Sequence, residues 1–298
     1  MAKKVLLIIF VLVIVASTMV VVLFQVNKRF AAGTKYSEYT LEHSLTKKYT
    51  AKDYKNAEIL VDAIWSRDDK EIKRLLKTNM EFNCPMVDEM GDVADVTPLE
   101  QALLLGDNKT ASALLKKGAV ATPICDVQTP IVAVLRSSEK GDLNMVKLLI
   151  EKGADPVKDS PDMSAIIYAA GLMYDNKDYQ QEPPEDATEI FKLFESMGAD
   201  IYFEMEHYGS NVLTFAACSN NLLLLQYLVE EKGMDVNYRG VFGSTALISV
   251  AHSDNSTKIT KYLLKHGADK AMVDDFGKTA LDYAVEYGNQ QIINLLSQ

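Results

Sequence analysis

The sequence predicts an all-α repeat solenoid of about seven units, preceded by one hydrophobic helix that spans a membrane. A phrase recurs along the chain: a hydroxyl residue, a Leu-Ala stretch, a pair of leucines and then Gly-Ala. Its clearest copies run from Thr97 to Ala119 and from Thr245 to Asp269. The phrase returns about every 33 residues, and a repeat of this size indicates stacked units whose usual role is to present a surface.

The start of each unit is marked by a residue that can cap a helix. A hydroxyl oxygen there can accept a hydrogen bond from the free backbone N–H groups of the first helical turn, and proline follows two of the starts. The seven starts lie near Glu58, Thr97, Thr129, Ser164, Asn211, Thr245 and Thr279.

The interior of each unit is predicted to pack closely and to end at a glycine. Small residues such as Ala216 and Ala251 let neighbouring helices approach, and leucine pairs fill the space between units. Only glycine adopts a left-handed C-cap without strain. The predicted C-caps are Gly118, Gly153, Gly198, Gly233 and Gly267, while Gly243 and Gly277 mark the turn before the next unit.

With these residues in register, the chain resembles the ankyrin-repeat family. The best matches are residues 277–284, which read Gly-Lys-Thr-Ala-Leu-Asp-Tyr-Ala, and Gly267-Ala268-Asp269. The resemblance covers roughly residues 55–298 and is specific, because several offsets agree in successive units. It implies a curved stack of helix pairs with β-turn fingers along one edge.

Residues 55–298 form the predicted repeat domain, with an N-terminal cap unit near 55–83 in which Asn79 replaces the glycine. Extra residues must leave a stack as loops. The insertion at 171–187 separates the two helices of the fourth unit, and the insertion at 84–95 lengthens the first finger. Each insertion is either a tolerated loop or a contact specific to a partner.

A hydrophobic stretch occupies residues 5–24 and, as a helix, would span about 30 Å, the thickness of a hydrocarbon core. We predict a transmembrane anchor with basic flanks at 1–30 and a polar juxtamembrane tether at 31–54. A cleaved signal peptide is the alternative, because Lys3 and Lys4 form a basic n-region. The apolar part of such a peptide is typically only about 7 to 15 residues long.

Basic residues on the two sides of this segment nearly balance, so the positive-inside rule does not decide its orientation. A very short N-terminal tail is typically left in the cytoplasm, which would export the repeats. We therefore predict a single-pass inner-membrane protein with the repeat domain on the periplasmic side.

Charge divides along the chain. Residues 1–54 carry 8 basic and 3 acidic side chains, a net +5, and the remainder carries 23 and 38, a net −15, which together give the −10 of the whole chain. The acidic repeats would repel nucleic acid and favour a protein partner with a basic face.

No motif assembles an enzyme, a metal site or a cofactor site. The four histidines are scattered without a His-Glu-x-x-His pair, no Cys-x-x-Cys occurs, and Gly277-Lys278-Thr279 lacks the upstream glycine of a phosphate loop. We predict no catalytic residue, metal ligand, cofactor or small-molecule substrate. Cys84 and Cys125 could form a disulfide in an exported domain, but the favoured interpretation is three free structural thiols, including Cys218.

An aromatic ladder is predicted along the last three fingers, which the resemblance implies are part of the usual binding face. Three residues before each unit start, Tyr208, Phe242 and Phe276 recur at intervals of 34. Aromatic anchors within a polar rim are typical of interface hot spots. The alternative is that the rings only pack over the neighbouring finger. The predicted partner-binding residues are Tyr208, Phe242, Phe276, His207, Arg239, Val241, His252 and Tyr287.

These observations predict a membrane-tethered protein-binding module. One anchor fixes its location, and tethering raises the local concentration of the binding surface near the bilayer. Two alternatives stay open. One is an immunity or inhibitor protein that neutralises a toxic enzyme at the membrane, and the other is a scaffold for envelope stress or maintenance.

Overall fold

The computed structural model describes residues 49–86, 96–123, 129–137, 142–160, 164–171, 185–203, 211–253 and 256–298. Within these ranges the regular elements are helical and no β-strand occurs. The helices come in seven consecutive pairs, each with a first and a second helix. This arrangement agrees with the predicted all-α repeat solenoid.

The helix bounds follow the register of the repeat. The second helix of the fifth unit continues into a π-helical turn, Tyr227–Glu231. A 3-10 turn, Val241–Gly243, precedes the sixth unit. The pairs are α1 (Ala51–Trp65) with α2 (Asp69–Leu75), α3 (Pro98–Leu104) with α4 (Asn108–Lys116), α5 (Pro130–Arg136) with α6 (Leu143–Glu151), α7 (Ser164–Ala170) with α8 (Glu185–Ser196), α9 (Val212–Cys218) with α10 (Leu222–Gln226), α11 (Ala246–Val250) with α12 (Thr257–Lys265), and α13 (Ala280–Tyr287) with α14 (Gln290–Leu296).

Five of the seven predicted starts cap a first helix in the described ranges. The Thr97 side chain accepts a hydrogen bond from the backbone N–H of Glu100, and Asn211, Thr245 and Thr279 make the equivalent bond three residues into their helices. Glu100 completes a capping box by accepting from the Thr97 N–H at 2.8 Å. Such a cap stabilises a helix by about 1 kcal/mol and fixes where the unit begins.

Five of the described second helices have side-chain caps that the sequence analysis missed. The side chains of Asp107, Asn221 and Asn289 each accept a hydrogen bond from the backbone N–H three residues further on. The residue before the cap has a positive φ, 68° at Gly106 and 57° at Asn220. A left-handed residue followed by an Asp or Asn cap therefore sets the tight turn between the two helices of these units.

One apolar core runs through the stack. It extends from Leu60 in α1 to Leu296 in α14. Ala102 and Ala216 have no exposed surface, and their small side chains occupy first helices, where neighbouring units pack together. Each helix pair therefore buries its apolar face against the units before and after it.

The Gly-Ala-Asp segment ends a second helix and starts the next finger. Gly267 has a φ of 89°, a left-handed conformation that other residues adopt only with strain. The Asp269 carboxylate then accepts a hydrogen bond from the N–H two residues further on, at 2.8 Å. Asp155, Asp200 and Asp235 make the same turn. The aspartate of the repeat is therefore a turn-forming residue.

Two asparagines join one unit to the next. Asn237 donates from Nδ2 to the carbonyl of Gly267 at 2.9 Å and accepts from the N–H of Asp269 at 2.8 Å. Asn83 donates to the carbonyl of Gly118 at 3.3 Å and accepts from an N–H two residues further on at 2.8 Å. Each asparagine thus fixes a finger against the glycine turn of the following unit.

The first unit begins earlier than predicted. Helix α1 starts at Ala51 and is capped by Thr50, so Glu58 lies inside the helix. The predicted tether at 31–54 therefore includes the first turn of α1. The separation between Thr50 and Thr97 exceeds the repeat period, which hid this hydroxyl start in the sequence.

The predicted insertions are shorter or lie outside the described ranges. Helix α8 begins at Glu185, so the last three residues of the predicted 171–187 insertion are helical. Residues 172–184 and residues 87–95 of the first finger are not among those that the structure describes. The sequence analysis also missed one extra residue in the fifth unit, which the π-helical turn Tyr227–Glu231 accommodates.

Cys84 and Cys218 are free thiols. Cys84 has no exposed surface, and burial, with smaller effects from the charges of Asp53 and Glu81, raises the pKa of its thiol to about 12. The thiol therefore stays protonated and unreactive at neutral pH. Cys125 falls outside the described ranges.

Across the described ranges, no helix combines the length and the apolar character needed to cross a bilayer. The predicted anchor at 5–24 and its 1–30 boundaries fall outside those ranges. The anchor therefore stays a prediction from the sequence.

Replacing Asn237 with Ala should lower the free energy of unfolding by about 1 kcal/mol, because it removes two hydrogen bonds between units. Asn237→Asp keeps the acceptor but places a carboxylate oxygen against the carbonyl oxygen of Gly267, so its loss should be at least as large. Urea unfolding followed by circular dichroism measures both. Asn144→Ala, at an exposed position of α6, is the control and should stay within about 0.5 kcal/mol of wild type. An equal loss of unfolding free energy in Asn237→Ala and in the control would contradict the role of Asn237 in joining the two units.

Candidate protein-binding surface

The fingers before α11 and α13 share one pattern of backbone hydrogen bonds, although only Phe242, and not Phe276, has a positive φ. The first N–H of the finger donates to its last carbonyl, at 2.8 Å in finger 240–244 and at 3.0 Å in finger 274–278. Within each finger the N–H of the fourth residue, a glycine, donates to the carbonyl of the first residue at 3.0 Å. Phe242 and Phe276 directly precede these glycines, so they occupy the same position at the two finger tips.

Phe242 and Phe276 form an exposed aromatic pair, called the finger pair below. Their ring centroids are 5.7 Å apart and the rings are tilted by 40°, within the range of interacting aromatic side chains. The two residues nevertheless expose 62% and 68% of their surface. The finger pair therefore offers partners a contiguous apolar surface that the fold leaves open.

Contacts between the fingers hold the finger pair in place. Arg239 donates from Nη1 to the carbonyl of Val273 at 2.8 Å, and its Nη2 lies 3.4 Å from Oδ1 of Asp275. The N–H of Asp275 donates to the carbonyl of Phe242 at 2.7 Å. Arg239, which the sequence predicts as a partner-binding residue, thus braces one finger against the next.

The turn around Phe242 is sterically constrained. Phe242 has a φ of 54° and a ψ of 26°, a left-handed conformation that a bulky side chain adopts at a cost of about 1 to 2 kcal/mol. Gly243 has a φ of 69°, and a Cβ at this position would lie 2.2 Å from Nη2 of Arg239 and 2.6 Å from Oδ1 of Asp275. The brace therefore requires glycine beside the strained phenylalanine.

The second finger is anchored to its own helix. The buried carboxylate of Asp274 accepts hydrogen bonds from the N–H groups of Phe276 and Lys278, both at 2.9 Å, and from the hydroxyl of Tyr283 at 2.6 Å. Burial alone would raise the pKa of Asp274, but these hydrogen bonds hold the pKa below its ordinary value. A charged carboxylate thus fixes the finger at neutral pH.

Two further predicted residues form a second pair, at the far end of the first helices. His252 follows α11 and Tyr287 ends α13, with ring centroids 5.6 Å apart and a tilt of 50°. Tyr287 exposes 53% of its surface. The eight residues of α13, about 12 Å of helix, separate this pair from the finger tips. The predicted binding set therefore divides into two pairs.

The other predicted residues are less completely described. His207 and Tyr208 lie outside the described ranges. Val241 lies in the 3-10 turn Val241–Gly243. Of the three predicted ladder residues, the structure therefore describes Phe242 and Phe276. The role of the whole set in binding stays a prediction.

The described side chains form no recognisable reactive site. Among them, no three His, Cys, Asp or Glu residues come together as metal ligands would. Lys278, from the segment that superficially resembles a phosphate loop, lies in a finger, with Nζ 2.5 Å from Oε2 of Glu286 and 5.0 Å from the ring centroid of Tyr283.

Sequence reasoning missed a set of contacts between second helices. The Tyr227 hydroxyl donates to Glu195, and the Tyr262 hydroxyl donates to Glu230 at 3.0 Å. These bonds join α8 to α10 with its π-helical turn, and that turn to α12. The two glutamates and the two tyrosines are each 35 residues apart, close to the repeat period, which is the signal that could have revealed them.

Comparison with known proteins gives partial matches. The family model described as ankyrin repeats (three copies) matches residues 185–271 and 213–298. A 93-residue stretch is 33% identical to an interferon antagonist of monkeypox virus and covers 31% of each chain. An ankyrin repeat protein of the same virus is 25% identical over 153 residues, 51% of this chain and 24% of the relative. A putative ankyrin repeat protein of Escherichia coli is 32% identical over 93 residues, 30% of this chain and 46% of the relative.

The chain thus matches less than half the length of each of these relatives. Both the finger pair and the pair of His252 with Tyr287 lie within the residues that the family model matches. The helix pairs of residues 49–171 repeat the same order of first and second helices. Residues 185–298 therefore resemble ankyrin repeats, and the described helix pairs before them have the same order of helices.

Proposed function

We propose that the chain is a membrane-tethered protein-binding module whose partner docks on the finger pair. The observation that carries the proposal is the exposure of Phe242 and Phe276, 62% and 68%, at the tips of fingers that are braced against each other. Ankyrin repeats imply protein–protein interaction, and aromatic anchors within a polar rim contribute much of the energy of such interfaces.

The geometry argues against a purely structural role for these rings. They contact each other but leave most of their surface in water, so their burial contributes little to folding. Phe242 also has a left-handed backbone that glycine would adopt without strain. Binding gives a reason for an aromatic residue to occupy this strained position.

The charge of the repeats supports a basic partner. The chain outside residues 1–54 has a net charge of −15, with 23 basic and 38 acidic side chains. A field of this sign speeds the encounter with a positively charged protein surface and disfavours an acidic one.

The tether rests on the sequence of residues 5–24, which is long and apolar enough for a membrane helix. Anchoring would hold the finger pair near the bilayer and raise its effective concentration for a partner there. In this proposal the repeat domain lies on the exported side, which a compartment-specific reporter fused after Gln298 would test. Reporter activity in the cytoplasm would overturn that orientation.

Inhibition of the partner is the second candidate function. Two viral relatives, from monkeypox virus and vaccinia virus, are named interferon antagonists. An ankyrin stack that binds tightly over the active cleft of an enzyme would neutralise it without any chemistry of its own. Loss of the captured partner's activity on addition of this protein would favour this candidate over a scaffold.

Replacing Phe242 and Phe276 together with Ala should weaken partner capture by about 100-fold or more, because hot-spot aromatics contribute about 2 kcal/mol or more each. The free energy of unfolding should change by less than about 1 kcal/mol. Quantitative pull-down with the full-length chain from the membranes of its own cells measures capture. Trp65→Ala removes an equally exposed aromatic residue, at 69%, from α1 and should leave capture intact. Unfolding of the double variant, or equal loss in the control, would count against the proposal.

Phe242→Gly separates the effect of the ring on partner capture from the effect of the backbone strain on stability. Glycine removes the ring and relieves the backbone at a φ of 54°, so this variant should be about 1 kcal/mol more stable than Phe242→Ala. Both variants should capture the partner equally poorly. Thermal unfolding and the same pull-down provide the measurements. A glycine variant that is less stable than the alanine variant would show that the backbone strain has been misassigned.

A further inference from the structure

A groove of about 530 Å³ lies between α8 and α10 with its π-helical turn. It is formed by second helices and shares no residue with the finger pair. Its walls combine acidic side chains with Leu223, a leucine that exposes 50% of its surface. A groove of this volume can accommodate a few side chains of a ligand.

One wall of the groove is the π-helical turn Tyr227–Glu231, three of whose five residues line it. The turn accommodates one extra residue relative to the next unit. The N–H of Met234 donates to the carbonyl of Leu228, six residues earlier, whereas the equivalent bond from Ala268 to Leu263 spans five. Such turns are uncommon and occur frequently at functional sites. The departure from the repeat thus coincides with the groove.

The tyrosine that begins this turn is held rigidly. Its hydroxyl donates to Glu195, whose Oε1 lies 2.6 Å from Nζ of Lys232. The Nζ atoms of Lys192 and Lys232 lie 4.7 Å and 5.1 Å from the ring centroid of Tyr227. Lys232 is thus engaged by Glu195 and the ring, and its positive charge is partly neutralised before a ligand arrives.

The groove is negatively charged. Among the described residues, its lining includes Glu189, Glu230 and Glu231, against one cationic side chain, Lys192. Nζ of Lys192 lies 3.6 Å from Oε1 of Glu189. Glu230 also contacts neighbouring groups in α12 and the turn that follows it. The lining therefore has a net charge of −2 and favours a cationic ligand.

We propose that this groove binds a short basic segment of a protein, in which Lys or Arg residues flank a single aliphatic side chain. The aliphatic side chain packs on Leu223, which leaves half of its surface exposed. The flanking cations pair with Glu189 and Glu231. The groove is a second surface, separate from the finger pair, so one chain can engage two protein segments at once.

The test uses the full-length chain in a non-ionic detergent and a fluorescein-labelled peptide with Lys-Arg-Leu-Arg-Lys between Gly-Ser spacers. Fluorescence polarisation should show saturable binding. A peptide with Glu-Asp-Leu-Asp-Glu should bind at least about 10-fold more weakly, and one with Lys-Arg-Ser-Arg-Lys about 5-fold more weakly. No binding of the basic leucine peptide, or equal binding of the acidic peptide, would overturn the proposal.

A matched pair of variants locates the site. Glu189→Lys with Glu231→Lys should weaken binding of the basic leucine peptide by about 10-fold or more. Glu58→Lys with Asp62→Lys changes the net charge equally at exposed positions of α1 and should leave binding within about 2-fold. Equal loss in both double variants, or no loss in either, would remove the groove as the binding site.

The finger-pair variant distinguishes this proposal from the proposed function. Phe242→Ala with Phe276→Ala should bind the peptide as wild type does. If that variant loses the peptide while the Glu189 and Glu231 variant keeps it, the peptide is a finger ligand. The groove proposal then fails and the proposed function stands.

Discussion

A short pair of helices cannot bury its own apolar surface, so every unit of this chain depends on the units beside it. In α5, each residue from Pro130 to Leu135 is buried, which requires packing partners around the helix. The resulting core extends from Leu60 to Leu296. Polar contacts such as those of Asn237 then set the register between neighbouring units, and this register determines where the fingers lie.

The exposed position of the finger pair is a consequence of that register. The N–H of Asp275 reaches the carbonyl of Phe242 because consecutive fingers lie side by side. The same proximity lets Arg239 brace the fingers and holds Phe242 in a conformation that it would not favour alone. In the proposed function, fingers that are braced before a partner arrives leave binding less conformational freedom to remove. The stack thus converts a repeated turn into a preorganised apolar surface.

The backbone conformation of individual turns could be predicted from the sequence. The left-handed turn at Gly267 and the shared finger position of Phe276 follow from residue type and period. The start at Thr50 was not, because the first unit breaks the period: α1 has 15 residues where α3 has 7, and the predicted insertion at 84–95 lengthens the first finger. The partners of Arg239 and Tyr227 depend on distances between units, which the spacing of residues alone does not give. The same limit applies to the π-helical turn, since one extra residue can be accommodated at several places in a unit.

Photo-crosslinking in living cells tests most directly the claim that the finger pair touches the partner. With p-benzoylphenylalanine in place of Phe242 or Phe276, the account predicts capture of the same protein from both positions. Val285, which exposes 59% of its surface in the last unit, is the comparison position and should capture little of that protein. Capture at Val285 without capture at either finger position would contradict the account.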